Sequence, residues 1–376
     1  MIDARKPRVR LIHETNPEKY FPALYELDRN QEISLVGAHR YSVFKEWLRS
    51  WLRERKPIRA RTVAALADLK LRLRLPRIHG EVVVLGFAPW DWRMLLYSML
   101  VRRNWLIYHT SWPNWQPGSA RRQYGILTPA VRRVWLRVLS QPNVRVVAVL
   151  EATKHSLRDA YGVDAEVIPH AVPEVFFEAR RTQVVEPGQP LRLIHVGELS
   201  EKKGIRQLLA IMEAIGGEML TLTIVGDGPL RELCTTAAAS SAAIEITGPI
   251  SDRAKLAGLM ASHDVLVLLS QRDSTWEELF GIVIAEAMAA GLGVIASNHI
   301  GPRFLLGDAA LGNLFEDNDI EGPLELIKAL AGDHDELRAM KESHHDLADR
   351  FRSPVVAQQW SSVIHELTVH YREEKA

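Results

Sequence analysis

The stretch Glu278-Leu-Phe-Gly281-Ile-Val-Ile-Ala-Glu286-Ala-Met-Ala-Ala-Gly291 places two glutamates on either side of a predicted junction between a loop and a helix. The apolar run over residues 282–290 has a helical composition, and Gly291 is a suitable helix stop. Residues 292–296 then have the composition of a buried strand. Glu278 is therefore expected in the loop before the helix, and Glu286 about two turns inside it.

The start of this predicted helix suits an anion. Backbone N–H groups around Phe280, Gly281 and Ile282 form the positive end of the helix dipole, where a phosphate can bind without a metal or a cationic side chain. A sugar hydroxyl can reach one glutamate and a ribose hydroxyl the other. The segment therefore predicts a binding site for a nucleotide sugar.

Short β-branched runs alternate with helical stretches along the whole chain. The predicted strands are residues 9–13, 32–36, 81–87, 105–109, 144–149, 191–196, 220–225, 244–247, 264–269 and 292–296. This alternation predicts α/β architecture with parallel sheets covered by helices on both faces. The polar segment 180–190 contains Pro and Gly and separates the strands into two series, which indicates an interdomain linker.

Four further motifs follow one another in a fixed order. They are Val196-Gly197-Glu-Leu-Ser-Glu-Lys-Lys203-Gly204, Ile224-Val-Gly-Asp-Gly228-Pro-Leu230, Thr247-Gly248-Pro-Ile250 and Asp264-Val-Leu-Val-Leu-Leu-Ser270. With the two-glutamate segment, they make the chain resemble the retaining GT-B glycosyltransferases of family 4. The resemblance is strongest over residues 191–297.

The resemblance implies a GT-B fold, in which two Rossmann-like domains face each other across a cleft. Residues 1–180 would form the acceptor-binding domain, and residues 190–353 the domain that binds the nucleotide-sugar donor. A C-terminal helix within residues 354–376 would pack back on the first domain.

By resemblance, Glu278 contacts the transferred sugar, Glu286 contacts the ribose, and Lys203 binds the diphosphate. The other expected donor-binding residues are Lys202, Gly228, Pro249, Ile250, Phe280, Gly281 and Ile282. For Gly228, a tight turn that requires glycine is an equal alternative to ligand contact. Pro249 and Ile250 match a position whose backbone contacts the nucleotide base.

The chain departs from the family at three places near this site. Glu198 stands where many members have Arg, which removes one cation from the phosphate site. Gly293 stands where Pro is usual, and His299-Ile-Gly-Pro302 stands where a paired Gly is usual. We expect the last two departures to change loop shape more than chemistry.

On the acceptor side, His109 ends a predicted strand and begins the aromatic loop that contains Trp112 and Trp115. The family counterpart of His109 is a catalytic-site histidine that bonds a sugar hydroxyl, although a structural histidine is an equal alternative. The two tryptophans either stack on sugar rings or pack the loop. His13 begins the loop after the first strand, where a glycine-rich turn is usual, and is assigned to acceptor binding.

Retaining transfer in this family implies a same-face displacement, in which the leaving phosphate takes the proton of the acceptor hydroxyl. No Asp-x-Asp motif follows a predicted strand, so we expect neither a metal nor another cofactor. Two other functions stay open. One is a nucleotide-sugar epimerase on the same fold, and the other is a non-catalytic protein that binds membranes or polyanions.

The composition is typical of an ordinary globular protein, since 47% of the 376 residues are hydrophobic and 25% are charged. The single cysteine, Cys234, excludes an internal disulfide framework and fits a reducing compartment. The start of the sequence lacks the apolar core of a signal peptide, and no apolar run approaches the roughly 20 residues that span a bilayer. We therefore expect a cytoplasmic protein.

The first 180 residues carry a large excess of Lys and Arg, whereas the remainder carries an excess of acid. An amphipathic segment with Trp47 and Trp51 on one face has Arg49 and Arg53 nearby. Such a segment either lies on the anionic inner face of a membrane or packs in the domain core. No nucleic acid is expected as a partner.

Residues 69–75 alternate with period two, which permits an edge strand.

Overall fold

The computed structural model describes residues 6–14, 17–40, 59–116, 124–181, 188–273, 276–307 and 312–373, without the side chains of 59–65 and 370–373. The segment with Trp47, Arg49, Trp51 and Arg53 lies outside the described residues. The chain forms two compact units, Met1–Ala171 with Ser353–Ala376, and Val172–Arg352. The division falls earlier in the chain than the linker expected at residues 180–190.

Among the described residues of the first unit, six parallel strands form a sheet in the order β2-β1-β3-β4-β5-β6. The strands are β1 (Arg8–His13), β2 (Ser34–Arg40), β3 (Val82–Gly86), β4 (Trp105–Thr110), β5 (Val144–Ala148) and β6 (Glu166–Val167). The α-helices described in this unit are α1 (Pro17–Tyr20), α2 (Pro22–Arg29), α3 (Arg59–Arg74), α4 (Met94–Tyr97), α5 (Thr128–Leu139), α6 (Glu151–Tyr161) and α15 (Ser353–Glu373).

Successive residues of β3 point to opposite faces of this sheet, as the pleat of a strand requires. Val83 and Leu85 join one hydrophobic core, and Val82 and Val84 join the other. The second core also contains Trp360 of α15. The last helix of the chain therefore belongs to the first unit, where it packs beside α2.

Residues 69–75 are not an edge strand, because the structure places them in α3 and the 3₁₀ turn Leu75–Arg77. Leu71 and Leu75 are buried, while Leu69 and Leu73 are exposed. The Arg72 guanidinium also bonds the Asp68 carboxylate one helical turn away, at 2.8 Å. These contacts stabilise an α-helix, with its period of 3.6 residues, rather than the strand with a period of two that the sequence permitted.

In the part of the second unit that the structure describes, six parallel strands form a sheet in the order β12-β11-β10-β7-β8-β9. The strands are β7 (Leu191–Val196), β8 (Leu220–Val225), β9 (Ile244–Ile246), β10 (Val265–Leu268), β11 (Gly293–Ser297) and β12 (Leu314–Phe315). The α-helices described here are α7 (Glu174–Glu178), α8 (Ile205–Ile215), α9 (Arg231–Ser240), α10 (Arg253–Met260), α11 (Ile282–Ala289), α12 (Ile300–Leu306), α13 (Glu321–Gly332) and α14 (His334–Ala348).

The predicted fold class, with parallel sheets in two Rossmann-like units, is confirmed. Strands β7 and β8 have the predicted bounds, and α11 begins at Ile282 as predicted. The two-residue strands β6 and β12 were not predicted, because they are too short to show a periodicity.

Candidate functional site

The order of the second sheet brings together two loops that are far apart in sequence. β10 lies beside β7 in the sheet, although β8 and β9 come between them in the chain. Ligands of open α/β sheets bind beyond the carboxyl ends of the strands, at the point where the strand order reverses. The loops after β7 and β10 lie at that point, and they carry Lys203 and Glu278.

Gly204 allows the first of these loops to approach the second. Its φ angle is +70°, and a Cβ at this position would lie 1.8 Å from the carbonyl oxygen of Leu269. The loops are also joined by a hydrogen bond from the Gln271 N–H to the Lys202 carbonyl, at 2.8 Å. Any larger residue at position 204 would separate them.

Lys203 and Glu278 form an ion pair. The two side chains are 20% and 12% exposed, so solvent reaches the pair but screens it less than a surface pair. In this pair the ammonium and the carboxylate neutralise each other, and each can instead bind a polar group of a ligand. The structure therefore brings together two of the residues predicted for the donor site.

Trp276 supports both lysines of the loop after β7. Its ring centroid lies 5.2 Å from Lys203 Nζ and 5.5 Å from Lys202 Nζ, within the range of a cation–π contact. Lys202 also pairs with Asp273 at 2.8 Å. Trp276 was not predicted as a site residue, because nothing in the neighbouring sequence indicates that an aromatic side chain before Glu278 will contact residues of another loop.

Glu286 lies in the second turn of α11, where only 3% of its side chain is exposed. A buried carboxylate needs a partner, and Arg253, the first residue of α10, pairs with it. The Arg253 guanidinium also lies 4.7 Å from the ring centroid of Phe176. Arg253 was missed in the sequence because the pairing depends on how α10 packs beside α11.

Helix α11 begins directly after Gly281, which has a φ angle of +75°. This left-handed conformation favours glycine and turns the chain sharply from the Glu278 segment into the helix. Phe280 is 5% exposed and packs edge-on against Phe351, which fixes the turn in place. Ile282 then provides one of the first amides of the helix, which have no partner inside it.

The loop after β8 lies beside the loop after β7, and the loop after β9 lies beside the loop after β8. A Cβ on Gly228 would lie within 2.9 Å of three backbone atoms of Leu199. This close approach favours the turn alternative for Gly228. The Gly226 N–H donates to the Gly248 carbonyl at 3.1 Å, so the segment with Pro249 and Ile250 lies next to the loop after β8. Contact of Pro249 and Ile250 with a base stays a prediction.

In the first unit, three histidines gather at the carboxyl ends of β1 and β4. The His109 ring centroid lies 6.4 Å from that of His13 and 5.5 Å from that of His170. His109 is 5% exposed, and burial first, then the neighbouring histidines, hold its pKa well below the ordinary value. The His109 imidazole is therefore neutral, and its role toward a sugar stays a prediction.

The aromatic loop after β4 packs on its own domain. Trp115 is fully buried, and its indole N–H donates to the Trp112 carbonyl at 3.0 Å. The Trp112 indole N–H donates to the Asn114 carbonyl at 2.7 Å. Trp115 therefore favours the packing alternative over sugar stacking, while Trp112 is only partly buried.

Within the described ranges, no group of three or more His, Cys, Asp or Glu side chains has a geometry that could hold a metal ion. An Asp-x-Asp sequence, Asp317-Asn318-Asp319, does follow β12, a strand that was not predicted. The Asp317 carboxylate accepts hydrogen bonds from His299 and Arg272, and metal independence stays a prediction. None of the helices in the described part of the chain combines the length and the apolarity that a membrane crossing requires.

Residues 176–346 match the family described as glycosyl transferases group 1. A Streptomyces coelicolor protein named exopolysaccharide phosphotransferase SCO2592 is 30% identical over 240 residues, which is 61% of this chain and 24% of that protein. The phosphatidyl-myo-inositol mannosyltransferase of Mycobacterium tuberculosis is 31% identical over 191 residues, 50% of this chain and 49% of that protein. The chain thus spans about half or less of the length of these relatives.

Among solved structures, the Anabaena protein Alr3699/HepE in complex with UDP matches with a TM-score of 0.67 and 16% sequence identity. The match covers 96% of this chain and 100% of that one. At this identity the likeness concerns the fold alone. The GT-B fold expected from the sequence is confirmed.

Proposed function

We propose that this protein is a retaining glycosyltransferase, which moves a sugar from a nucleotide diphosphate to a lipid-linked or glycan acceptor without a metal ion. The observation that carries the proposal is the ion pair between Lys203 and Glu278 at the reversal point of the second sheet. The match of residues 176–346 to the group 1 glycosyl transferases supports it.

In this proposal, the ion pair is exchanged when the donor binds. The Lys203 ammonium turns to the diphosphate, and the Glu278 carboxylate accepts a hydrogen bond from a hydroxyl of the sugar. The first amides of α11 add their partial positive charge to that of Lys203. Because Glu198 stands where many family members have an arginine, the nearby Lys202 provides the second positive charge. Both charges of the resting pair thereby remain satisfied in the complex.

The acceptor hydroxyl oxygen then forms a bond to the anomeric carbon while the bond from that carbon to the phosphate oxygen breaks. The acceptor proton passes to the departing phosphate on the same face of the sugar, so the anomeric configuration is retained. Lys203 and the helix amides stabilise the negative charge that grows on the leaving group. Glu278 contributes by holding the sugar in position.

Thermal unfolding with a panel of nucleotide sugars, including UDP-glucose and GDP-mannose, tests donor binding. A ligand that binds the native state raises the unfolding midpoint by mass action. We expect one donor to give a clear shift, and Glu278→Ala to remove it. Absence of any shift across the panel in the wild-type protein would contradict the proposal.

Product analysis separates this function from the alternatives. Mass spectrometry should show an acceptor enlarged by a sugar residue without phosphate, and NMR should show an unchanged anomeric configuration. EDTA should leave the rate unchanged. An altered nucleotide sugar formed without acceptor would indicate an epimerase. Polyanion binding without affinity for any nucleotide would indicate a non-catalytic protein.

Peripheral binding to an anionic membrane on its cytoplasmic face forms part of the proposal. On the outer face of α3, Leu66, Leu69 and Leu73 are 60%, 49% and 67% exposed. Lys70 and Arg74 are exposed between and beside them. Exposed leucines among basic side chains fit an anionic bilayer surface, which takes up the apolar groups and pairs with the charges.

Vesicle co-sedimentation tests this surface. The protein should bind vesicles that contain phosphatidylserine more strongly than vesicles of phosphatidylcholine alone. Replacing Leu69 and Leu73 by Ser should weaken binding, whereas the same change at the exposed Leu127 should not. Binding that is independent of anionic lipid, or unchanged in the α3 variant, would contradict a membrane role for this surface.

A further inference from the structure

The backbone of Glu278 is held by the loop after β11. The Glu278 N–H donates to His299 Nδ1 at 3.0 Å. The Gly301 N–H donates to the Glu278 carbonyl at 3.1 Å. Both polar groups of the Glu278 backbone are therefore bonded to a segment that the sequence marked only as a departure from the family.

These bonds determine where the proton of His299 lies. A backbone N–H can only donate, so Nδ1 is the acceptor and Nε2 carries the proton. Nε2 lies 2.8 Å from Asp317 Oδ1 and donates to it. His299 is 1% exposed. Its ring is thus fixed from both sides, with Glu278 at one nitrogen and Asp317 at the other.

Asp317 is fixed in turn by Arg272. The Arg272 N–H donates to Asp317 Oδ2 at 2.9 Å, and the guanidinium Nε lies 3.2 Å from the same oxygen. Burial alone would raise the pKa of Asp317, but the hydrogen bonds from the Arg272 amide and from His299 outweigh it and lower the pKa. Asp317 is therefore an ionised carboxylate, in which Oδ1 accepts from His299 and Oδ2 accepts from Arg272.

We propose that His299 and Asp317 are positioning residues, which hold Glu278 at the place where it meets the transferred sugar. The inference rests on the proposed function. His299 is too deeply buried to reach a ligand, so it acts through the backbone of Glu278. The departure at residues 299–302 therefore supports the chemistry of the site, in addition to its effect on loop shape.

The same histidine also supports the partner of Glu278. Its ring packs edge-on against Trp276, with centroids 6.4 Å apart. Trp276 in turn contacts Lys203. One buried ring thus contributes to the position of both members of the ion pair, as supporting side chains do in preorganised sites.

Asp317→Asn tests the positioning role with a minimal change of shape. An asparagine has one acceptor oxygen, whereas the His299 Nε2–H and the Arg272 N–H each require one. One of the two bonds must be lost: either the histidine ring loses its acceptor, or the side chain at position 317 loses its bond to the Arg272 N–H and supports the ring less firmly. We expect sugar transfer to fall by roughly 10- to 100-fold, because small misplacements of a reacting group cost about that much.

The loss should fall mainly on kcat. The histidine ring is hydrogen-bonded directly to Glu278 but reaches Lys203 only through Trp276. The first amides of α11 also still hold the diphosphate, so inhibition by the nucleoside diphosphate product should change much less than kcat. Glu316→Gln is the matched control, because Glu316 lies in the same loop and bonds Asn298 rather than His299. Equal losses in the two variants would overturn the inference.

A second pair of variants separates positioning from general packing. His299→Asn retains an acceptor at the place of Nδ1, whereas His299→Leu fills similar space without one. We expect the Asn variant to keep more transfer activity than the Leu variant when both are compared at equal folded fraction. Equal activity in the two would contradict a role for the hydrogen bond.

The experiment distinguishes the inference from the function on which it rests. If the wild-type protein transfers no sugar from any donor, the proposed function fails. If the wild-type protein transfers a sugar and all the His299 and Asp317 variants match it, only the positioning role fails.

Discussion

Arg253 and Glu286 form an ion pair that joins the first residue of α10 to the second turn of α11, and 3% of the Glu286 side chain is exposed. The pair engages the carboxylate of an acid expected to contact ribose. It also connects the proposed donor site to the packing of two helices that follow different strands. Under the proposed function, stability and donor binding are therefore linked at this position.

Replacing Arg253 by Ala leaves the buried carboxylate without this partner. We expect the free energy of unfolding to fall by about 1–3 kcal/mol, because the Glu286 carboxylate loses a charge-assisted hydrogen bond from the guanidinium. Urea unfolding at constant m-value measures the change. Lys255→Ala is the control, because Lys255 has the same charge and an exposed side chain on the same helix. Equal midpoints for the two variants would contradict this prediction.

Glu278→Gln should nearly abolish transfer while the protein stays folded. The amide keeps the shape but cannot pair with Lys203 or accept a sugar hydroxyl with full charge, so we expect kcat to fall by about 10²- to 10³-fold. Steady-state kinetics and circular dichroism measure the two effects. Glu277→Gln is the neighbouring control, since the Glu277 carboxylate faces the Ile300 N–H at 3.4 Å. Near-normal turnover in Glu278→Gln would contradict the assignment.

Gly301→Ala should disturb the Glu278 segment directly. A Cβ at Gly301 would lie 2.6–2.7 Å from the backbone of Phe280, so the segment must shift. We expect weaker donor binding and a lower unfolding midpoint. Gly258 is also helical, but a Cβ there meets nothing within 4 Å. Gly258→Ala should instead stabilise the protein by roughly 0.5–1 kcal/mol. Similar thermal midpoints in the two variants would count against the close approach.

The stability of the second unit should fall on mild acidification. Burial lowers the pKa of both His195 and His344 from 6.5 to about 4. The unfolded chain therefore binds these protons first, so stability is complete above pH 6.5 and is lost as the pH falls toward about 4. Each residue contributes a slope of up to about 1.4 kcal/mol per pH unit.

Urea unfolding at several pH values from about 7.5 to about 4.5, a range that includes the ordinary histidine pKa, would measure this slope. His344 accepts a hydrogen bond from the Val294 N–H at 3.0 Å. His344→Asn retains an acceptor that does not titrate, so its slope should be shallower than that of the wild-type protein. An unchanged slope would exclude His344 as a source of the acid sensitivity.

The sequence by itself determined the periodic elements and the local chemistry of the second unit. Strands β7 and β8, the start of α11 and the position of Glu278 just before it follow from hydrophobic runs and glycine stops, which are properties of neighbouring residues. The segment 69–75 shows the limit of such patterns, because the contacts of Leu71 and Leu75 with the core selected a helix where the alternation permitted a strand.

Only the tertiary structure decided which charges meet. Lys203 pairs with Glu278 because β10 is inserted beside β7, and Arg253 pairs with Glu286 because α10 packs beside α11. His299 reaches Glu278, and Asp317 reaches His299, because β11 and β12 continue the sheet on the same side. These contacts join residues whose separation in the chain carries no periodic signal, so they depend on the order of strands in the folded sheet.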